Sequence, residues 1–518
     1  MVQAYAWNVL YIFMNIKHNF DGMSIASGKT KTTMPNCNPN RGHCPMTKQH
    51  KPGLPRLRPL IAILSLALVA GGAMAAEPIP ADAPIPEAEP TAVASGALAA
   101  AKLNPNNLEV MKKLGLTFGG WLQTGVTYNS TNPGNGFNGP VTFGDRSAEL
   151  QLNQLYFYLQ RPVATEGDSW DFGGRVDFMY GSDSIFTQAY GVPAYDVNNG
   201  VAMQRSHWDL NLLRNNSRFY DIALPQVYLE AYIPIGNGLN LKAGHFYTPI
   251  GYEVVTAPDN FFYSHAYTMQ YGEPFTHTGL LANYAFDKNW STIAGLLTGS
   301  ATGGWDGGWD QQLGNWTGLL GGTWNTEDKA TSMNITGTYG GTSERSSQSW
   351  GMYSMVFKHN LMDDLHMVVQ HDHGYANGVL VSSGVRDAEW YGINSYLMYD
   401  ITDKLGAGIR AEWFRDNAGF RVCSPGRVSA ATNDSYGSAV SSASSVLCGN
   451  GSGFGTPASY YAITAGVNYK PLKWLTLRPN VRYDWADGTN PTTGDRYKPF
   501  GNGKDAQFLF SADVVIVF

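Results

Sequence analysis

From Leu116 onward the chain alternates apolar and polar residues with a period of two. In the closing run, Phe508, Phe510, Ala512, Val514, Ile516 and Phe518 share one parity. Gln507, Leu509, Ser511, Asp513, Val515 and Val517 share the other. Successive strand side chains point to opposite faces, so this run has one apolar and one mixed face. Residues 170–180 repeat the pattern. Trp170, Phe172, Val176, Phe178 and Tyr180 lie opposite Asp171, Arg175 and Asp177. In 405–414, Leu405, Ile409 and Trp413 oppose Arg410 and Glu412. In 474–485, Leu475, Leu477, Val481, Tyr483 and Trp485 oppose Arg478, Arg482 and Asp484. On these strands charge avoids the apolar face.

Connection lengths decide between a soluble sheet and a membrane barrel. "PQVYLEAYIPI" turns through "GNG" into "LNLKAGHFY", and about 28 residues follow before "THTGLLANYAF". "DKN" then leads into "WSTIAGLLTG". Further on, "HNLMDD" joins "WGMYSMVFK" to "LHMVVQHDH", a loop leads to "EWYGINSYLMYDI", and "TDK" leads into "LGAGIRAEWF". "WLTLRPNVRYDW" reads as one strand. Short and longer connections alternate through about sixteen such segments. Short periplasmic turns, long outer loops and an even strand number define outer-membrane barrels. A soluble β-sandwich shares the parity but has no reason to gather long loops at one end. The expected fold is therefore all-β: a transmembrane, antiparallel, up-and-down β-barrel of about 16 strands over 116–518. Sixteen strands enclose an aqueous lumen, and closure pairs the backbone groups that hydrocarbon leaves unsatisfied.

Composition fits this reading. Charged residues are 15% of the chain, against about 25% in soluble proteins. Gly (59), Tyr (29) and Trp (14) are abundant, as tight turns and interfacial aromatics require. The longest apolar stretch, residues 60–70, is too short to span a bilayer, which takes about 20 residues. Lys48, Lys51, Arg56 and Arg58 precede it and "AMAAEP" follows, so residues 1–75 read as a leader with a signal peptide cleaved after Ala75. Some 45 residues ahead of that signal carry no interpretable pattern, which points to an over-extended start and translation from Met46 or another internal Met. Residues 76–115 read as an Ala/Pro-rich periplasmic linker ending in a short helix before Gly115.

Residues 1–75 hold eight of the 35 basic side chains and one of the 41 acidic ones, Asp21, so the remainder carries 27 against 40, a net of −13. No basic stripe is left for nucleic acid. Cys423 and Cys448, an even pair in an exported chain, are expected to form a disulfide. No GxSxG, HExxH, P-loop or dinucleotide fingerprint stands in a fitting context, so neither enzyme activity nor a cofactor is expected. His371 and His373 share one strand face with His366 on the other, and no third ligand completes a metal site.

The pore-lining candidates are Asp171, Arg175, Asp177, Glu230, Lys242, Arg410, Glu412, Arg478, Arg482 and Asp484, with Asp513 beside them. Mixed signs on a lumen wall predict weak ion selectivity. Structural pairing between neighbouring strands explains the same residues equally well. The 247–275 loop is aromatic, with Glu253, Asp259 and Glu273 as its only charged residues. Two readings are open for it: a constriction folded into the lumen, carried by Tyr252, Glu253, Asp259, Phe261, Phe262 and Tyr263, or an outer loop packed on its neighbours.

With these residues in view, "FYTPIGYEVVTAPDNFFYSHAYTMQYGEPFTHTG" (246–279) resembles the OmpL-like β-barrel porin 2 family of Gram-negative outer-membrane porins. The resemblance implies passive diffusion of small hydrophilic solutes across the outer membrane, with lipid and the barrel-assembly machinery as partners. Phe518 is similar to the terminal aromatic by which that machinery recognises its clients. Large porins are often homotrimers, although no interface stands out in this sequence. The rival function is a non-conducting barrel whose outer loops bind or adhere.

Overall fold

In the computed structural model, the described residues are 96–518 except 135, 165–166, 190–194, 197–200, 203–207, 210–211, 214–219, 299–315, 342–348, 382–383, 423–454 and 491–492. The signal peptide, the start codon and the Cys423–Cys448 pair lie outside them. The described part forms one closed antiparallel barrel of sixteen strands.

The first eight strands are β1 (Thr117–Asn129), β2 (Leu150–Arg161), β3 (Asp171–Gly181), β4 (Val227–Ile233), β5 (Leu239–Tyr247), β6 (Thr276–Ala285), β7 (Trp290–Thr298) and β8 (Trp316–Asn325). The other eight are β9 (Thr331–Gly341), β10 (Ser349–Met362), β11 (Leu365–Val381), β12 (Gly384–Thr402), β13 (Leu405–Asp416), β14 (Ala458–Leu472), β15 (Leu475–Leu477 with Asn480–Gly488) and β16 (Ala506–Val517). A short piece, Asp221–Ala223, pairs with β3 just before β4. Each strand pairs with its sequence neighbour, and β1 pairs with β16 from Trp121↔Val517 to Asn129↔Leu509. That last pairing removes both sheet edges, as hydrocarbon demands.

Two local expectations change. The parity pattern predicts an end to β11 at His373 and a start of β12 at Glu389. The ladder instead continues through Val379↔Arg386 to Val381↔Gly384, so the expected loop is a strand extension. Strands of 17 and 19 residues exceed the roughly 9–11 needed to cross a membrane, so this hairpin projects beyond it. Its apolar residues Ala376, Val379, Val381 and Ala388 pack with Trp390 and Phe420, which rewards the extension. The run 474–485 is not one strand, because Pro479 has no N–H for the ladder and splits β15.

Parity follows the pattern in the sequence. Phe172, Val176, Leu229, Leu280, Leu320, Ile409, Val481 and Phe510 are exposed on the outside, the face that meets lipid. No helix among the described residues is long and apolar enough to cross a membrane, so crossing falls to the strands.

The seam carries an extra rung. Gly120 and Phe518 exchange both backbone bonds, at 3.0 and 2.9 Å. One rung further toward the turn end, the carboxamide of Asn106 acts as a backbone pair. Its Oδ1 accepts the Phe118 N–H at 2.7 Å, and its Nδ2 donates to the Phe118 carbonyl at 2.8 Å. Asn106 is held in place by a short turn, Pro105–Asn107, whose start is capped by Asn104. Asn106→Ala leaves both Phe118 groups without this partner, a cost of about 1 kcal/mol. Hydrogen exchange resolved at the Phe118 amide should accelerate in that variant; an unchanged rate would refute the rung.

Candidate functional site

The loop between β5 and β6, residues 248–275, is bonded to the inward faces of β2, β11, β12, β13 and β15 at once. Strands so far apart around a closed barrel can be reached together only from inside. Sequence reasons are visible on both partners. The loop supplies aromatic bulk that water would not solvate. The wall supplies arginines and amides, and glycines where the loop comes close. A Cβ on Gly125 of β1 would lie 2.5 Å from the Tyr263 ring, and one on Gly408 of β13 would lie 2.7 Å from the Phe261 ring.

Three buried arginines anchor the loop backbone. Arg410 on β13 reaches Glu253 at 2.6 Å and the Ser264 carbonyl at 2.7 Å. Arg478, between the two halves of β15, donates to the Ala257 and Asn260 carbonyls at 2.6 and 2.7 Å. Arg482 donates to the His265 carbonyl at 2.6 Å and lies over the Tyr267 ring at 4.8 Å. Each arginine also has a carboxylate on the wall. Arg410 pairs with Glu412 at 3.2 Å, Arg482 with Asp484 at 2.7 Å, and Arg478 with Asp513 through two nitrogens at 2.5 and 3.0 Å. Glu412 in turn accepts the Tyr267 N–H at 2.5 Å, and the Tyr267 hydroxyl donates to Asp484 at 2.9 Å. A buried guanidinium is tolerable only when its charge and its donors are matched, and here most are.

The other pore-lining candidates are not part of this anchor. Arg175 and Asp177 pair on β3 at 2.7 Å, with Arg175 over the Tyr158 ring at 4.4 Å. Asp177 also accepts from Gln226 at 3.0 Å and from the Tyr156 hydroxyl. Glu230 and Lys242 approach to 3.8 Å between β4 and β5, with Lys242 over the Tyr228 ring. Asp171 stands at the turn end of β3, bound to Arg161 at 2.9 Å and to the Ala164 N–H at 2.7 Å.

The six loop candidates divide by environment. Glu253, Phe262 and Tyr263 are buried against the wall, with the Tyr263 hydroxyl donating to Asn153 at 3.0 Å. Tyr252 and Phe261 are half-buried; Tyr252 lies under the Lys358 ammonium at 5.3 Å. Asp259 is exposed, within electrostatic reach of Arg175, Arg478 and Lys470. The histidine pattern separates as the parity requires. His366 meets Asp400 at 3.1 Å and His373 meets Glu389 at 2.9 Å. Among the described residues no group of three His, Cys, Asp or Glu is placed to hold a metal.

Several anchoring residues were not among the sequence candidates. Gln154 donates to the Val255 carbonyl at 2.8 Å and accepts the Ala257 N–H at 3.2 Å. Gln370 accepts the Tyr252 N–H at 3.1 Å and donates to Glu273 and to Asp372. The Tyr396 hydroxyl donates to Glu253 at 3.0 Å. Their one sequence signal is a polar group on the inward parity of its strand.

Outer loops close over the same segment. The Tyr271 hydroxyl donates to the Pro140 carbonyl, and Arg421 donates to the Tyr271 carbonyl at 2.6 Å. Phe143 packs against Phe186 and Phe275 with ring centres 5.3 and 5.8 Å apart.

Two loop carboxyls respond oppositely to this environment. Burial disfavours the Glu253 charge, but Arg410 and His265 outweigh it and hold the carboxyl down to about 2. Burial and the neighbouring Asp372 push Glu273 well above the carboxylate range. A carboxyl with a depressed folded value binds its proton less tightly folded than unfolded. Its stabilisation is therefore complete above its ordinary value of 4.5 and is lost as pH falls toward about 2. Glu253→Gln should cost about 3 kcal/mol, the low end for breaking a buried pair, because Arg410 keeps Glu412. Denaturant unfolding at pH 7 and pH 3 checks both points. The penalty should shrink at the lower pH, and an equal penalty at both would contradict the assignment.

No curated protein matches the chain. Among solved structures, the outer membrane channel DcaP of Acinetobacter baumannii is similar at 10% identity and a TM-score of 0.44, over 78% of this chain and 97% of that one. OprB of Pseudomonas putida is similar at 11% identity and a TM-score of 0.47, over 79% and 96%. An anion-selective porin from Comamonas acidovorans is similar at 10% identity and a TM-score of 0.46, over 78% and 99%. Residues 115–518 match the family described as "Putative beta-barrel porin-2, OmpL-like", and the chain belongs to that family of outer-membrane β-barrels.

Proposed function

We propose that the protein is a porin through which small hydrophilic solutes diffuse passively, along a wet path between the 248–275 loop and the remaining wall. The observation that carries this reading is the lateral anchoring of the loop. Arg410, Arg478 and Arg482 hold it by its backbone carbonyls against the β13–β15 side. Asp259 remains exposed within reach of Arg175 on β3. Arg175 is itself paired with Asp177, so Asp259 is the charge left facing the path, and solutes are sorted by size first and by charge second. Water fills such a path without chemistry, and catalysis has no role in it.

The packing of Tyr271, Pro140, Phe143 and Arg421 over the outer end favours a second reading, a non-conducting barrel whose outer loops bind a partner. Recording in planar bilayers separates the two. Passive diffusion predicts discrete conductance steps and a clear rise in step size when residues 254–270 are deleted from a barrel that still folds. Silent bilayers would support the second reading, and unchanged steps after the deletion would refute the constriction. Mixed charge predicts a reversal potential close to zero in a salt gradient, moved toward anion preference by Asp259→Asn. Strong selectivity in the unaltered protein, or no movement in the variant, would remove Asp259 from the path.

A further inference from the structure

The segment just before β1 exposes apolar surface that the barrel does not use. Its helix, Glu109–Leu114, ends on Gly115 in the left-handed conformation (φ 65°). At about 100° per residue, Leu108, Val110, Met111 and Leu114 fall within one arc, while Glu109, Lys112 and Lys113 occupy the other. Leu108, Val110 and Leu114 are 58%, 56% and 53% exposed, and Leu103 ahead of them is 68% exposed. A helix with two clear faces normally buries the apolar one, so this face needs an occupant.

Position and charge name that occupant. Asn106 pins the segment to the edge of β1 at the seam, and Gly96 is buried where a Cβ would lie 2.8 Å from the Phe518 Cα. The seam at this end carries lipid-facing rings: Phe118 stacks on Phe157 at 6.0 Å, and Phe157 meets Phe518 at 5.6 Å. The exposed residues therefore lie at the same end of the barrel as these rings, the end of the short turns. Residues 97–116 carry Lys102, Lys112 and Lys113 against Glu109, a net of +2 in a mature chain that is otherwise acidic. Basic residues on one face and Leu/Val on the other match a helix lying in a phospholipid headgroup boundary.

We infer that Leu103, Leu108, Val110 and Leu114 form an interfacial anchor that seats in the periplasmic phospholipid leaflet beside the closure seam. Lys113, and Lys112 beside Glu109 at 3.3 Å, stand on the opposite face, where they can meet lipid phosphate. The anchor is independent of whether the lumen conducts.

Photocrosslinking tests it. p-Benzoylphenylalanine is installed at Val110, or at Lys112 as the opposite face, and the full-length protein is placed in vesicles of phosphatidylethanolamine with phosphatidylglycerol. Heat-modifiable gel mobility checks that each barrel is closed. The expected result is phospholipid adducts at Val110, by mass, several-fold above those at Lys112. Adding Lys112→Glu and Lys113→Glu should lower the phosphatidylglycerol adduct at Val110 several-fold. Equal yields at the two positions would overturn the anchor. So would adducts at Val110 to a second copy or to the chain's own earlier residues. An adduct yield indifferent to the lysine changes would overturn the role of charge.

Discussion

A backbone N–H or C=O left unpaired in hydrocarbon costs several kcal/mol, and no local side chain offsets that along a whole strand. The sheet therefore has to close, and everything else in this protein follows from closure. It fixes which parity meets lipid, since a strand slipped by one residue would turn Arg410 and Glu412 outward. It also creates an interior with no solvent-exposed edge, where loop residues can be held from several sides at once.

That interior resolves an apparent contradiction. Arg410, Arg478 and Arg482 are among the most deeply buried side chains of the described structure, which in a soluble core would be costly. Here each guanidinium has a wall carboxylate and at least one loop carbonyl. Two of the three use the residue two positions on, which shares the inward face: Arg410 with Glu412 and Arg482 with Asp484. Arg175 with Asp177 repeats the spacing on β3. The pairs hold the wall charges whether or not the loop is docked. The loop then binds to donors already oriented, which lowers the ordering cost of attaching it.

How much of this the sequence revealed depends on range. Parity and connection length are local, so the outward face of β16, the alternation of turns and loops and the barrel itself were legible. The inward charges were legible too, because a face opposite lipid can be read one strand at a time. Pro479, which has no N–H for the ladder, is a local signal of the break in β15 that reading 474–485 as one strand passes over. The β11–β12 extension is not legible locally because part of its reward, the cluster that joins Val379 and Val381 to Phe420, comes from chain about forty residues further along. Gln154, Gln370 and Tyr396 were missed for the same reason. Each is an ordinary polar residue on its strand, and it acquires its role only when a segment more than a hundred residues away arrives beside it.

The Asn106 rung bears on the diameter of the barrel. Strand number and stagger together set tilt and radius, and the stagger is fixed only where the last strand meets the first. Sliding β16 by one rung toward the turn end keeps every side chain on its own face, so the hydrophobic pattern does not forbid that slip. The slipped strand would need the N–H and C=O of Phe118, which the Asn106 carboxamide already holds. A single amide before the first strand thus acts as a stop for the last one, and the width of the lumen is in part decided outside it.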